Sequence, residues 1–403
     1  MRRRDFLRAL AAAGVTLPNL PGMAPALAAT AGPSADTAAA GAGRRHLVLI
    51  ELQGGNDGLN TVVPFADPLY RTLRPTLALP RDALLELDAG LALHPALEPL
   101  MPLWARGELA VVQGVGYPRP NRSHFRSAEI WETASDAEET RLDGWLAPLT
   151  HALPGRGAGG VRALALGRDE GPLAGGASGT VVFEDLGRFL QEARGLGERR
   201  LPAAGDNAAL AHLLTIERRT REAALAFAER LEDAAETGGT AKGAPLARGL
   251  GLVARLIEAD AGPRLFKLEL DGFDTHANQL NRHRNLLAQL GTALGAFAAR
   301  LTASGRWDDV LVMSYSEFGR RVAENGTGGT DHGTAAPHFV AGGRVSGGLH
   351  GSAPDLARLE QGDPLFTTDF RSLYATVARD WFGRSLGGTP YAGFPTLPLV
   401  RGA

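Results

Sequence analysis

The chain has 403 residues, 44% of them hydrophobic and 21% charged, with no cysteine and a formal net charge of −2 at pH 7. The apolar content excludes a largely disordered chain, and the near-neutral charge excludes the long-range attraction on which non-specific nucleic-acid binding relies. Without cysteine there is no disulfide framework, zinc–thiolate site, iron–sulfur cluster or cysteine nucleophile, so any metal ion must be held by Asp, Glu, His and backbone oxygen.

Forty of the 42 basic residues are arginine, Lys242 and Lys267 being the exceptions. They are scattered rather than clustered, which points to compositional bias rather than to an anion-binding surface. No apolar run reaches the roughly 18 residues of a membrane span. The length accommodates two or three domains or one large α/β domain.

The chain opens with Arg2-Arg3-Arg4-Asp5-Phe6-Leu7-Arg8, continues through apolar Ala9–Leu17, and reaches Ala26-Leu27-Ala28 after three prolines. A charged start, a short apolar middle and an A-x-A end make a secretory signal peptide. The arginine pair followed by Phe-Leu resembles the twin-arginine export signal. The expectation is a leader over residues 1–28, a small-residue tether over 29–43 and one domain over 44–403, exported to the periplasm or beyond with the twin-arginine translocase as partner. Cleavage after Ala28 removes four arginines and one aspartate, taking the net charge from −2 to −5.

His46–Leu52 is a nearly continuous apolar run, the pattern of a strand buried on both faces. It ends in the glycine-rich turn Gln53–Gly58. A helix is expected around Ala96–Ala105, then a strand Leu109–Gly114. Tyr117–Phe125 leads into a helical pattern through Trp131, with Ser123 at its start. Further strands are expected at Arg162–Leu166, Arg264–Leu270 and Asp309–Tyr315, with a mostly helical insertion over 184–262. Leu287, Leu290, Leu294, Phe297 and Leu301 form one buried stripe of a helix spanning Arg284–Thr302. A last helix, Asp369–Phe382, has Thr368 as its expected cap, Gly383 as its stop and Phe370, Leu373, Tyr374, Val377 and Trp381 as its core face. Strands alternating with helices predict an α/β fold with a doubly wound, mostly parallel sheet, which binds ligands at the carboxyl ends of its strands.

Polar clusters follow several of these strands: Asn56-Asp57, Asp271–His276, Ser316–Arg320, and beyond them Thr330-Asp331-His332-Gly333. Carboxylates and imidazoles gathered at one sheet edge are what a divalent metal site needs when thiolates are absent. Each has a plainer reading. Asp57 also suits an Asx turn or helix cap, Asp274 and His276 a helix N-cap, and Ser123 is either a nucleophile, with Arg122, Asn121 or His124 contacting substrate, or a simple cap. The Walker, dinucleotide-binding, H-E-x-x-H and G-x-S-x-G patterns are absent.

The segments GGNDGLNTVVP (54–64), PNRSHF (120–125), GFDTH (272–276), SEFGR (316–320), TDHG (330–333) and TTDFRSLYATVARDWFG (367–383) resemble domain-of-unknown-function family 1501 over about residues 45–400. The resemblance implies the alkaline phosphatase and sulfatase superfamily, with its α/β core, divalent metals and a nucleophile attacking phosphate or sulfate esters. On that template Asp57, Asp274, His276 and His332 match metal ligands and Ser123 the nucleophile. The pattern departs from the template, because the middle Asp and His are two apart rather than four. Ser316-Glu317 also stands where an Asp-His pair is usual, and Asp331-His332 follows about fourteen residues later. The expected metal set is Asp57, Asp274, His276, Glu317, Asp331 and His332, holding Zn, Ca, Mg or Mn, with Ser123, Arg122 and His124 catalytic. The expected partner is an anionic ester, small molecule or glycan. The competing expectation is a non-catalytic envelope binding or assembly protein that keeps the fold.

Overall fold

The computed structural model describes residues 44–153, 160–176, 179–197, 214, 225–233 and 244–402. The expected leader (1–28) and tether (29–43) lie outside the described residues, and the expected helical insertion (184–262) is described only in part. Among the described residues the central sheet has nine strands. They are β1 (His46–Gln53), β2 (Leu109–Gly116), β3 (Ala163–Leu166), β4 (Thr180–Phe183), β5 (Leu265–Asp271), β6 (Val310–Tyr315), β7 (Ala336–Ala341), β8 (Gly348–His350) and β9 (Thr368–Asp369). The spatial order is β8-β2-β7-β6-β1-β5-β3-β4, with β9 also pairing with β2. All pairs are parallel except those of β7, which runs antiparallel to β2 and β6.

Helices cover both faces. The principal ones are α1 (His124–Thr133), α2 (Leu186–Gly197), α3 (Pro245–Glu258), α4 (Gln279–Ala303) and α5 (Phe370–Thr376), which runs on into a π turn, Val377–Trp381. Alternation along β1 divides the core. Val48, Ile50 and Leu52 pack with apolar residues of α3 and α4, whereas Leu47 and Leu49 pack with those of α1 and α5. Burial on both faces is why the central strands read as unbroken apolar runs. Helix α4 is long and apolar enough to cross a membrane by length and composition. Its stripe Leu287, Leu290, Leu294, Phe297 and Leu301 is nevertheless buried in the core.

Local chemistry corrects three expected elements. Residues 95–105 form a 3-10 turn, Pro95–Leu100, before a short helix, Met101–Ala105, because Pro99 lacks the N–H that an α-helix would use there. The cap of α5 is Asp369, whose carboxylate accepts from the Arg371 amide at 2.9 Å, while Thr368 belongs to β9. The cap of α4 is Asn278, in left-handed conformation, rather than Asp274 or His276. The expected core face of α5 is buried throughout.

The consequence for function lies in register. Strands β5, β1 and β6 are adjacent and parallel, with Gln53 opposite Asp271 and Glu51 opposite Tyr315. The loops carrying GGND, GFDTH and SEFGR therefore leave the sheet side by side at its carboxyl edge, where such sheets bind ligands.

Candidate metal centre

Three loops and the start of α1 build the site. Gly54, at φ +114°, lets the β1 loop pass so close to the β5 loop that a Cβ there would lie 2.3 Å from the Asp274 amide nitrogen. Only glycine fits. The segment after β6 folds back on itself: the Gly319 amide donates to Thr334 O at 2.7 Å and the Arg321 amide to Asp331 O at 3.0 Å, with Arg320 and His332 bridged. This return brings Asp331 and His332 to the edge already occupied by Asp274 and His276. Helix α1 delivers His124 from the opposite side.

The rings are oriented by what holds their Nδ1 atoms. Nδ1 of His332 lies 2.9 Å from the carbonyl oxygen of Arg122, that of His276 3.2 Å from Asp331 Oδ1, and that of His124 2.8 Å from Glu317 Oε1. All three partners are acceptors, so each neutral ring places its proton on Nδ1 and leaves a lone pair on Nε2. Those Nε2 atoms converge on Asp274. The His276 and His332 atoms are 3.1 and 3.2 Å from Oδ1, and the His124 atom is 3.6 Å from Oδ2. Nε2 of His276 and Nε2 of His332 are themselves only 2.9 Å apart.

Two bare nitrogen lone pairs at that distance repel unless a cation lies between them. A proton would serve one pair, whereas a metal ion serves all four groups. With Zn–N bonds of about 2.05 Å, the ligand atoms of a tetrahedral site stand about 3.3 Å apart. His276 Nε2, His332 Nε2 and Asp274 Oδ1 stand 2.9, 3.1 and 3.2 Å from one another, close to that value, and His124 Nε2 stands 3.6 Å from the other oxygen, Oδ2. Among the described residues, His124, Asp274 and His332 offer ligand atoms mutually within 4.8 Å, and His276 adjoins this group through Asp274 and His332. Three imidazoles and a carboxylate, each imidazole backed by an acceptor, are a donor set suited to a divalent ion.

Electrostatics fit the same picture. Burial lowers the His332 pKa, favouring its neutral form. Burial would raise Asp274, but the Arg320 guanidinium, which donates to its carboxylate, outweighs it and brings the carboxyl down to about 2. The hydrogen bond to Glu317 raises the His124 pKa against its burial, so ion uptake at this ring competes with protons.

The remaining expected residues fall into other places. Glu317 is buried and accepts from the Gly54 amide at 2.9 and 3.2 Å as well as facing His124. It faces the Nδ1 side of the His124 ring rather than the point where the Nε2 atoms meet, and Asp331 does the same for His276. His124, expected in catalysis, lies among the converging groups. Asp57 is not among the converging groups: its carboxylate pairs with Arg74 at 2.6 Å, both side chains being 0% exposed, and accepts from Gln279. The Arg122 guanidinium is engaged by buried Asp363, so what it brings to the site is its backbone carbonyl. Ser123 occupies the N-cap of α1, but its hydroxyl makes no capping bond. It is exposed.

Sequence reasoning missed the residue that ties these loops together. Arg320 donates to the carbonyls of Gly55 (2.7 Å), Thr330 (2.9 Å), Phe273 (3.0 Å) and Gly54, and to Asp274 Oδ1 at 2.7 Å. Five donors in a rigid fork suit this work. Asn325 bonds both His276 O (2.9 Å) and Asp331 Oδ1 (3.1 Å), and the Phe318 ring packs 4.9 and 4.6 Å from the His124 and His332 rings. The arginine of SEFGR was visible as part of a motif, but nothing local marks which carbonyls it gathers.

A sequence profile of the family described as "protein of unknown function (DUF1501)" matches residues 96–381. The chain belongs to this family. No curated protein sequence matches it. Among solved structures it is similar to the lipoteichoic acid synthase LtaP from Listeria monocytogenes, with 11% identity, TM-score 0.40, and coverage of 90% of this chain and 77% of that one. It is also similar to the PsFucS1 sulfatase from Pseudoalteromonas sp. (12%, TM-score 0.40, 91% and 75%) and to the phosphonate monoester hydrolase SpPMH from Silicibacter pomeroyi (12%, TM-score 0.39, 88% and 76%).

Proposed function

We propose that this family member is an exported, metal-dependent hydrolase of phosphate or sulfate esters. The observation that carries the reading is the convergence of three imidazole Nε2 atoms on one carboxylate, each ring fixed by an acceptor at its far side. His124, Asp274, His276 and His332 would hold the ion, and three nitrogens with one oxygen suit zinc better than calcium or magnesium, which prefer oxygen shells. A divalent ion bound there supplies Lewis-acid polarisation of an anionic ester and an activated oxygen nucleophile.

The chain's own residues supply the rest. Ser123 stands immediately before His124, exposed, at the start of a ten-residue helix. The unpaired N–H groups of that first turn favour a negatively charged group, so an ester anion binds with the serine hydroxyl as candidate nucleophile. Arg320 keeps Asp274 ionised and fixed. Glu317 and Asp331 hold two rings in the tautomer that presents Nε2. The leader makes the twin-arginine translocase the export partner, and a protein folded before export would carry its ion with it. The test is metal analysis of the mature protein together with turnover of aryl phosphates and aryl sulfates. Metal-bound protein with Ser123-dependent turnover is expected. Metal-free protein inactive with every added divalent ion would overturn the reading.

A further inference from the structure

Away from the metal centre, a cleft of about 680 Å³ opens at the carboxyl ends of β3, β4 and β5, between α2 and α3. That volume lies within the range of small-molecule sites. Phe183, Leu190, Leu246, Leu252 and Leu268 give it apolar walls, and the charged residues Glu184, Asp185, Glu232, Arg248 and Glu269 line it as well. On α3 the lining residues Pro245, Gly249 and Leu252 recur at helical spacing and define one face. The next position on that face is Arg255, which also lines the cleft.

A cation is out of place there. Arg255 is 8% exposed, its Nε is buried without a partner, and it makes no hydrogen bond or ion pair among the described residues. The nearest charges are Arg300, which opposes it, and Glu258, which is already held by Arg300 through bonds of 2.9 and 2.6 Å. The acidic residues that line the cleft are engaged elsewhere. Glu269 pairs with Lys267 at 3.0 Å, Glu184 with Arg168 at 3.3 Å, and Glu232 with Arg194, while Asp185 accepts from the Arg188 amide at 2.7 Å. A guanidinium whose Nε is buried without a partner costs free energy until an anion pairs with it. A cleft with leucine and phenylalanine walls and a buried, unpaired arginine Nε is complementary to a molecule with an apolar tail and a single anionic head.

We propose that this cleft is a second ligand site, which binds a long-chain fatty acid with its tail against the leucine walls and its carboxylate on Arg255. The proposal is independent of the metal centre, since α2, α3, β3 and β4 contribute nothing to that site. It is tested with the full mature chain by displacement of a dansylated fatty-acid probe, below micelle-forming concentrations, using palmitate, hexadecanol, hexadecyltrimethylammonium and acetate as competitors. Palmitate should displace the probe, and acetate and the cationic surfactant should not.

Arg255→Met keeps the stem's packing and removes the charge. It should weaken palmitate about tenfold or more, the worth of a charged hydrogen bond, leave hexadecanol unchanged, and be rescued towards wild type by Arg255→Lys. Circular dichroism and melting of each variant establish that it is folded. Failure of palmitate to displace the probe, equal palmitate affinity in folded Arg255→Met, or equal competition by the cationic surfactant would each overturn the assignment. So would recruitment to anionic vesicles without displacement by monomeric palmitate.

Discussion

Replacing Asp57 by Asn separates a structural carboxylate from a metal ligand. In the structure its carboxylate meets Arg74 at 2.6 Å with both side chains fully buried, and one oxygen, Oδ1, has no partner. Neutralising one member of a buried pair leaves the other charge uncompensated, a loss of about 3–5 kcal/mol. Arg74 would retain bonds to Val322 O (2.7 Å), Arg321 O (2.9 Å) and Asn60 Oδ1 (2.9 Å), which favours the lower end. Scaled by roughly 2–4 °C per kcal/mol for chains of 150–250 residues and less for longer ones, the melting temperature should fall by about 5–10 °C.

Melting of chelator-stripped protein, with zinc titration alongside, is the assay. The stripped variant should melt lower while its zinc affinity stays within about twofold of wild type. Asp57 also has a lowered pKa in the folded state, because Arg74 outweighs the burial that would raise it. Its stability contribution is therefore complete above the ordinary carboxyl value near 3.8 and is lost as pH falls below it. Unchanged melting with abolished zinc binding would make Asp57 a ligand and refute the reasoning.

Three further outcomes are expected. Arg320→Lys, with three donors in place of five, cannot gather four carbonyls and Asp274, so it should weaken metal affinity by roughly 10–100-fold, the usual effect of losing a group that supports a ligand, and lower stability as well. Glu317→Gln should release the His124 tautomer and weaken the metal by a similar roughly 10–100-fold factor in isothermal titration. On the other face of α1, burial pushes Glu51 up to about 7 and Glu132 up to about 8, despite Lys267 nearby, with Glu269, Asp169 and Tyr315 completing the cluster. The folded state then holds protons that the unfolded state releases above its ordinary value near 4.5. Stability should fall as pH rises from about 4.5 to about 8 and level off above, and Glu132→Gln should flatten that slope in urea titrations at each pH.

The sequence exposed those features whose physics is local. Strands buried on both faces must be apolar at every position, so β1, β2, β5 and β6 read directly from their runs. Thr180–Phe183 did not, since four residues are too few to show a period, and Ala336–Ala341 and Gly348–His350 did not, since short strands with proline, histidine or glycine carry little pattern. Asp274, His276 and His332 were legible because polar groups between glycines have no packing reason to be there. Asp57 looked identical by that criterion. Its partner Arg74, seventeen residues on and fully buried, gives no sequence signal of the pairing. The sequence offers His124 only as the neighbour of Ser123, because only the fold shows that the return of the TDHG segment places His332 against it.

The account rests on the four converging donors, and isothermal titration of zinc into chelator-stripped mature protein tests them most directly. Wild type should bind one equivalent with high affinity, and His124→Ala, Asp274→Asn, His276→Ala and His332→Ala should each lose most of that affinity while remaining folded. Weak wild-type binding that none of the four substitutions alters would contradict it.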